Sequence, residues 1–472
     1  MILNLKQNQF DRFIFLGVGG IGMSALARYL VMRGKSVFGF DRSASEITAA
    51  LQKYGAEIVH NTEAFEPWFA PEWASNSFIV WTPAVAQSDP WMIASKNSGF
   101  PMVKRAELLG MISAESKNVL AVAGTHGKTT TSAILAHLLV HAGKKGIGFL
   151  GGIAQNYQSN LVLPDSLEAV IGESMSPDFC VVEADEFDRS FLSIKPQWAC
   201  ITSVDPDHLD IYQDKETFVA AFKLFSHTLA PDHLFIVEGL DFDGISVGFS
   251  EKAQIRAEQI AVIDGAYRFD LKFDDELWPD LIGPLPGRHN LINVMMAVAM
   301  ARDYGLTQKE VAHALSHFQG IQRRFNQHKL SENRVLVDDY AHHPTELKAL
   351  LQGVKEFYPD RPHVLLFQPH LFSRTRDFAD DFAQVLSDFD QVILMPIYPA
   401  RELPISGIDS GWLARKCRGG TVQSFDRAHA LEAFVHHFSQ LTLKSVNAPV
   451  FIVAGAGDIG LEVQSLIQKL SS

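Results

Sequence analysis

The chain has 472 residues, 47% of them hydrophobic and 20% charged, with a formal net charge of −13. Length and composition fit a soluble globular protein of about three domains. The acidic balance argues against a broad nucleic-acid face, which needs clustered Lys and Arg, but leaves room for a local basic pocket around a small phosphorylated ligand. The three cysteines, Cys180, Cys200 and Cys417, are odd in number and widely spaced. They form neither a disulfide framework nor a zinc pair. Cys180 and Cys200 adjoin apolar runs and read as buried, inert thiols. The opening "MILNLKQNQFDRFIFLG" has no basic region before a long apolar stretch, so no secretory signal is expected. No run approaches the roughly 18 apolar residues of a membrane span. A cytoplasmic protein without membrane insertion is expected.

Short β-branched or aromatic runs alternate with helical patterns along the whole chain, which predicts parallel α/β architecture. The first unit opens with a strand at Arg12–Gly17, the loop "VGGIG", the helix "MSALARYLVMRG" and a second strand ending at Asp41. Further strands are expected at Phe78–Val85 and Pro101–Arg105, then a helix at Ala106–Asn118. Gly17, Gly19, Gly20 and Gly22 stand between strand and helix. Glycines there permit a tight turn and let backbone amides approach a pyrophosphate at a helix N-terminus. Asp41 ends the next strand, where an acid would meet a ribose hydroxyl. The loop predicts nucleotide binding without choosing NAD over another nucleotide diphosphate.

The second unit begins with "VLAVAGTHGKTTT". A buried strand at Val119–Gly124 is expected to run into an amide-lined loop at Gly124 and Gly127. Lys128 can then reach β- and γ-phosphates, and Thr129 can ligate Mg²⁺. Thr130 and Thr131 are expected to cap the following helix. Val122 occupies the slot of the outer glycine of a standard P-loop. Next, "VVEADEFDRSFL" clusters Glu183, Asp185, Glu186 and Asp188 behind a strand. Such carboxylates are costly unless solvated or bound to a cation, and hard oxygen ligands suit Mg²⁺. A solvated acidic loop stays open as the alternative. "SVDPDHLDIY" ends another strand, "KETFVAAFKLFSHTLA" reads as a helix carrying Lys223, and 234–281 is strand-rich and irregular. "GRHNLINVMMAVAMARDYGL" is a strong helical pattern, followed by the loop "FQGIQRRFNQH".

The third unit opens as strand, loop and helix in "VLVDDYAHHPTELKALLQGV", with Tyr340, His342 and His343 in the loop and Pro344 in the first helical turn. Arg374 and Arg376 follow "FQPHLFS", and guanidinium forks bind carboxylates bidentately. Domain boundaries are expected at 1–117, 118–325 and 326–472. A diphosphate-type loop followed by a triphosphate-type loop suggests a nucleotide-linked substrate and a separate ATP.

"GTHGKTTT" resembles the loop of the Mur ligases, which typically lack the outer glycine. "GVGGIGMSALA", "EADEFDRSFL", "DHLDIY", "PGRHNLINV", "RRF", "DDYAHHPTE", "FQPHLFSRTRD" and "YPARE" follow that family's order across nearly the whole chain. The resemblance implies a Rossmann-like N-terminal domain, a central P-loop ATPase domain with a mostly parallel sheet, and a C-terminal Rossmann-like α/β domain. It implies an ADP-forming amide ligase that uses ATP and Mg²⁺ and proceeds through an acyl phosphate. His126 and the "FQPH…RTRD" motif point to UDP-N-acetylmuramate and L-alanine as substrates. A family member that adds a preformed tripeptide to the same sugar is the nearest rival.

By the same resemblance, Gly17, Gly19, Gly20, Ile21, Gly22, Asp41, Thr82, Pro83 and Ala84 face the UDP sugar. Gly124, Thr125, His126, Gly127, Lys128, Thr129 and Thr130 face ATP phosphates, with His289 and Asn290 near adenine, Arg324 at the phosphates and Asp339 near the ribose. Glu183, Thr129 and His208 hold metal, with Asp207 able to orient the His208 ring. Tyr340, His343, Arg374 and Arg376 surround the amino acid. Lys128, Glu183, His208, Arg324 and His343 form the implied catalytic set. Asp185 and Glu186 are weaker candidates.

Several family members carry a carbamoylated lysine near Lys223, where an ordinary surface lysine fits equally well. Leu371 stands where many relatives read arginine, which keeps glycine and serine open as substrates. A monomer or weak homodimer with a mobile third domain is expected. Two other classes compete. An NAD-dependent oxidoreductase explains "GVGGIG" but leaves "GTHGKTTT" idle. A non-catalytic nucleotide-binding regulator leaves the set Lys128, Glu183 and His208 without a purpose.

Overall fold

The computed structural model describes residues 10–61, 66–164, 177–205, 212, 214–263, 265–331, 334–400, 402–419, 421–442 and 448–471. The chain divides into two compact units. The first comprises Met1–Ala261, Arg268–Pro284 and Ile292–Gln319; the second comprises Val262–Tyr267, Leu285–Leu291 and Gly320–Ser472. Among the described residues, three sheets of five, ten and six strands organise them, and the parallel α/β reading of the sequence holds.

The first sheet contains β1 (Arg12–Leu16), β2 (Ser36–Phe40), β3 (Glu57–Val59), β4 (Ser77–Trp81) and β5 (Met102–Lys104). Its order is β3-β2-β1-β4-β5, all parallel. All five residues of β1 are buried, as expected for a parallel strand covered on both faces. The order reverses between β1 and β4. Open α/β sheets form a crevice outside the strand ends at such a point, and the glycine loop after β1 opens there. The strand expected over Phe78–Val85 stops at Trp81. Thr82–Val85 is a turn in which the Val85 amide donates to the Thr82 carbonyl at 3.0 Å. Pro83 has no amide to add to a ladder. The helix expected over Ala106–Asn118 is shorter, Arg105–Ser113. Its tail is drawn off because Asn118 begins the next strand and its side-chain amide donates to the Asp178 carbonyl at 3.0 Å.

The second sheet contains β6 (Asn118–Ala123), β7 (Gly146–Ala154), β8 (Ser159–Val162), β9 (Phe179–Ala184), β10 (Trp198–Ile201), β11 (Leu234–Val237), β12 (Ile245–Gly248), β13 (Ile255–Ile263), β14 (Ala266–Lys272) and β15 (Leu277–Gly283). β6 lies between β9 and β10, parallel to both. The ends of all three strands therefore meet on one edge. β7 is parallel to β9 and antiparallel to β8. The helix Lys128–His141 that follows β6 is buried along almost its whole length, polar Thr129, Thr130, Thr131, Ser132 and His137 included. Buried Asn160 of β8 donates to the Ser24 hydroxyl at 2.9 Å, tying this sheet to the first helix of the N-terminal region.

The third sheet contains β16 (Asn326–Ser331), β17 (Arg334–Asp339), β18 (His363–Phe367), β19 (Gln391–Leu394), β20 (Val422–Ser424) and β21 (Val450–Ala454). Its order is β16-β17-β21-β18-β19-β20, parallel except for the β16–β17 pair. The helix Pro344–Phe357 buries Leu347, Leu350, Leu351 and Val354, the spacing of one helical stripe. Cys180 and Cys200 are buried and Cys417 is partly so, all three free. Burial pushes their thiols up in pKa, in keeping with inert core residues. Among the described residues no helix is long and apolar enough to cross a membrane.

Candidate active site

The loop after β6 is shaped by what cannot be added to it. Gly124 and Gly127 both take left-handed backbone, at φ +136° and +82°. A Cβ on Gly124 would fall 2.1 Å from the Thr202 hydroxyl, and one on Gly127 would fall 2.4 Å from the Asn293 carboxamide oxygen. The segment after β10 braces the loop from outside. Thr125 Oγ1 donates to the Asp205 carbonyl at 2.8 Å, and the His126 amide donates to Ser203 Oγ at 2.8 Å. His126 Nε2 lies 3.4 Å from the Asp205 carboxylate. Gly127 is the N-cap residue and the helix starts at Lys128. Thr130 and Thr131 therefore do not cap the helix. They lie inside its first turn, buried with Thr129, because the glycine takes the capping position in a conformation threonine avoids.

Lys128 Nζ spends its donors on the Gly124 carbonyl at 2.5 Å, the Thr125 carbonyl at 3.2 Å and Glu186 Oε2 at 2.6 Å. Burial pulls the ammonium down in pKa, but Glu186, Asp185 and Glu183 outweigh it and the net direction is upward. Burial also raises Glu186, to about 7, against the pull of Lys128. Beside them, Thr129 Oγ1 donates to Glu183 Oε1 at 3.1 Å. The other Glu183 oxygen accepts from the Gly151 amide at 2.7 Å. A Cβ on Gly151 would collide with that carboxylate at 2.4 Å. A hydroxyl and a carboxylate this close, at the mouth of a phosphate-type loop, suit a hard cation such as Mg²⁺. His208 and Asp207 lie outside the described residues, as does the Asp188 side chain. Lys223 is partly exposed and pairs with exposed Asp241 at 3.0 Å, an ordinary helix-surface contact.

At the N-terminal glycine loop, Gly17 has φ +82°. The Gly19 amide donates to Asp41 Oδ2 at 2.8 Å, so the acid at the end of β2 packs on the loop itself. A Cβ on Gly17 would lie 3.3 Å from the Thr82 methyl. Gly17, Gly19, Gly20, Asp41 and the Thr82–Pro83–Ala84 turn thus gather at the switch point. Arg105, overlooked in the sequence, joins the two loops of this unit. A Cβ on Gly22 would fall 2.9 Å from its guanidinium, which also pairs with Asp185 at 3.1 Å.

The second unit gathers the remaining candidates. Asn290 is buried and its amide donates to the Pro286 carbonyl at 2.7 Å, with half-buried His289 beside it at the start of the helix Arg288–Asp303. The Arg323 and Arg324 guanidinium carbons lie 5.0 and 5.1 Å from the centre of the Tyr340 ring. Asp339 is buried and accepts from the Phe325 and Ala341 amides, each at 2.7 Å. Burial raises it to about 6, against Arg324. It pins the corner that presents Arg324.

His343 caps the helix Pro344–Phe357, its Nδ1 accepting from the Thr345 amide at 3.3 Å. That bond puts the ring proton on Nε2, so the neutral ring has no second lone pair with which to accept a proton. Tyr340, His342, His370 and Tyr398 form a row of rings 5.3 to 5.8 Å apart. Buried Arg374 adjoins the row, with Nη1 at 3.3 Å from His370 Nδ1. Arg376 is instead exposed, with Nε paired to Asp377 at 2.7 Å. Leu371 is buried and has φ +72°, so an apolar side chain stands at that slot.

Three family models match in succession: the Mur ligase family catalytic domain over residues 12–117, the Mur ligase middle domain over 122–301, and the Mur ligase glutamate ligase domain over 323–457. The chain belongs to the Mur ligase family. A UDP-N-acetylmuramate–L-alanine ligase from Christiangramia forsetii is 45% identical over 98% of both chains, and one from Flavobacterium psychrophilum is 43% identical over 99% of both. The crystal structure of the UDP-N-acetylmuramate-alanine ligase of Thermotoga maritima matches with a TM-score of 0.77 at 26% identity, covering 97% of this chain and 98% of that one. A murein peptide ligase from Psychrobacter arcticus shares the fold, with a TM-score of 0.65 at 21% identity.

For this Mur ligase the Lys128–Glu186 pair sets a pH-dependent stability. The folded-state value of Glu186, about 7, lies above its ordinary 4.5. Its protonated form therefore favours folding at low pH, a contribution lost as pH rises through about 7. Removing Lys128 strands the carboxylate. Lys128→Ala is expected to raise Glu186 further, so the loss of stability grows with pH, reaching about 3–5 kcal/mol only where the stranded carboxylate is charged and staying clearly smaller at mildly acidic pH. Denaturant unfolding on either side of neutrality measures this, and equal losses at both would contradict it.

Proposed function

We propose that this Mur ligase joins L-alanine to the carboxylate of UDP-N-acetylmuramate, with ATP converted to ADP and phosphate, in peptidoglycan precursor synthesis. The observation that carries the reading is one compact unit holding two phosphate loops of different type, the second with Lys128, Thr129 and Glu183 at its mouth. The substrates named for the full-length relatives supply the rest.

A carboxylate is a poor acceptor for an amine, so it is first phosphorylated. The amine of L-alanine then attacks the acyl phosphate, and phosphate leaves. In this reading the loop amides from Gly124 to Lys128 orient the triphosphate. Lys128 exchanges Glu186 for phosphate oxygens and offsets the charge of the transferring group. Thr129 and Glu183, with His208, would hold Mg²⁺, which when bound neutralises phosphate charge. Arg324 adds a cation held in place by Asp339. Gly17, Gly19, Gly20, Ile21, Gly22, Asp41, Thr82, Pro83 and Ala84 receive the UDP sugar. Tyr340, His343 and Arg374 place the amino acid, His343 by orientation and not as a base. Arg376 has a weaker claim because it faces solvent. We assign the domains to 1–117, 118–325 and 326–472, and the enzyme to the cytoplasm, where ATP and the UDP sugar are found.

Phosphate release tests the function directly. With ATP, Mg²⁺ and UDP-N-acetylmuramate, L-alanine is expected to drive release best, ahead of glycine and L-serine, with a product of matching mass. Release only with L-Ala-γ-D-Glu-diaminopimelate would reassign the chain to the tripeptide-adding branch. Gly151→Ala tests the metal arm. It is expected to raise the Mg²⁺ needed for half-maximal rate and weaken Mg·ATP binding in calorimetry, each by about 10–100-fold. Unchanged Mg²⁺ curves would remove Glu183 from the metal.

A further inference from the structure

Away from the nucleotide loops, the far end of the helix Lys128–His141 packs on the helix Gln308–His317, within the same compact unit. His137 is buried between them. Its Nε2 meets the Ala314 carbonyl at 2.9 Å and its Nδ1 meets the Tyr157 hydroxyl at 3.0 Å. Both ring nitrogens are used, and burial lowers the group to about 4, so this ring is neutral and structural. One turn further, His141 reaches solvent beside His313 and His317, which are themselves one turn apart. One ring nitrogen from each of these three exposed histidines lies within 4.8 Å of the others.

The detail of the cluster resembles a coordination site more than a solvated face. His141 Nε2 and His313 Nδ1 are 3.1 Å apart. Two nitrogens bound to one tetrahedral Zn²⁺ at about 2.0–2.1 Å stand roughly 3.3 Å apart. His317 Nδ1 faces the His313 carbonyl at 2.8 Å and Ser316 Oγ at 3.1 Å. Donation to that carbonyl places the proton on Nδ1 and leaves the Nε2 lone pair for a ligand. Outer hydrogen bonds of this kind orient metal-binding imidazoles. Among the described residues no carboxylate belongs to the group. Neutral imidazoles favour Zn²⁺, Cu²⁺, Ni²⁺ or Co²⁺ over Mg²⁺ or Ca²⁺.

We propose that His141, His313 and His317 form a surface binding site for a borderline-soft divalent cation, Zn²⁺ foremost, distinct from the Mg²⁺ position at Thr129 and Glu183. Solvent would supply the fourth ligand. The bound ion would join the C-terminal end of the phosphate-loop helix to the helix Gln308–His317 and stabilise the folded chain by mass action.

The test uses the untagged full-length chain without nucleotide, the single variants His313→Gln and His317→Gln, and the double variant. Zn²⁺ binding is measured by calorimetry, and Co²⁺ binding by visible absorption. The wild type is expected to bind a Zn²⁺ equivalent with a rise in Tm, and to give the intense visible bands of tetrahedral Co²⁺. Each single variant should bind at least about tenfold more weakly, since loss of an outer partner alone costs that much, and the double variant should lose the Tm response. The metal-free Tm of the exposed-site variants should match the wild type, and whichever single variant does so is read. Equal Zn²⁺ binding by wild type and double variant would place the ion elsewhere and overturn the proposal. No Zn²⁺ binding by the wild type would also overturn it, leaving a hydrogen-bonded histidine pair.

Discussion

A buried ammonium has to be matched, and at Lys128 the match is Glu186. The rest of the phosphate loop follows from that pairing. Lys128 bends back over its own turn to reach the Gly124 and Thr125 carbonyls, which fixes the curvature of the loop. Glu186 can stand there only because β9 ends beside β6, two parallel strands delivering their C-terminal ends to one edge. Tyr212 fixes the backbone behind it by donating to the Glu186 carbonyl. Charge, loop shape and sheet order are one arrangement.

The same economy appears in the second unit, with the signs reversed. Asp338 and Asp339 are buried at the end of β17, and burial raises them to about 7 and about 6. Arg323 and Arg324 oppose those shifts. Two arginines lie over one tyrosine ring, each opposed by a buried acid, and backbone amides hold one of the acids still. A cation positioned in this way loses little conformational freedom when a phosphate meets it.

What could be read in the sequence was local. Glycines at fixed spacing, a lysine after the second glycine and an acid at a strand end declare themselves within a few residues. So did the apolar alternation of strand and helix, which gave the α/β class. What could not be read depends on residues far apart. Gly151 matters because Glu183 rests on it, Arg105 because it reaches Asp185, and His370 and Tyr398 because they extend a row begun at Tyr340. Gly151 and Arg105 have no local signature, and the motifs that hold His370 and Tyr398 do not show that the two rings meet. Thr130 and Thr131 looked like caps because threonine is a good cap, but Gly127 had already taken the position. Arg374 and Arg376 are two residues apart and look alike in sequence. On a short helix that spacing turns one inward and the other to solvent.

Arg105 makes the two loops of the first unit speak to each other. Its guanidinium is shared between the start of the first helix, at Gly22, and the carboxylate of Asp185. An anion arriving at the N-terminal loop competes with Asp185 for that cation. To the extent that it wins, the acidic loop near Glu183 becomes more negative and attracts a divalent ion more strongly. Binding free energies are reciprocal, so the ion must then tighten the anion by the same factor. One shared guanidinium makes the charge balance at the glycine loop and at the acidic loop depend on each other.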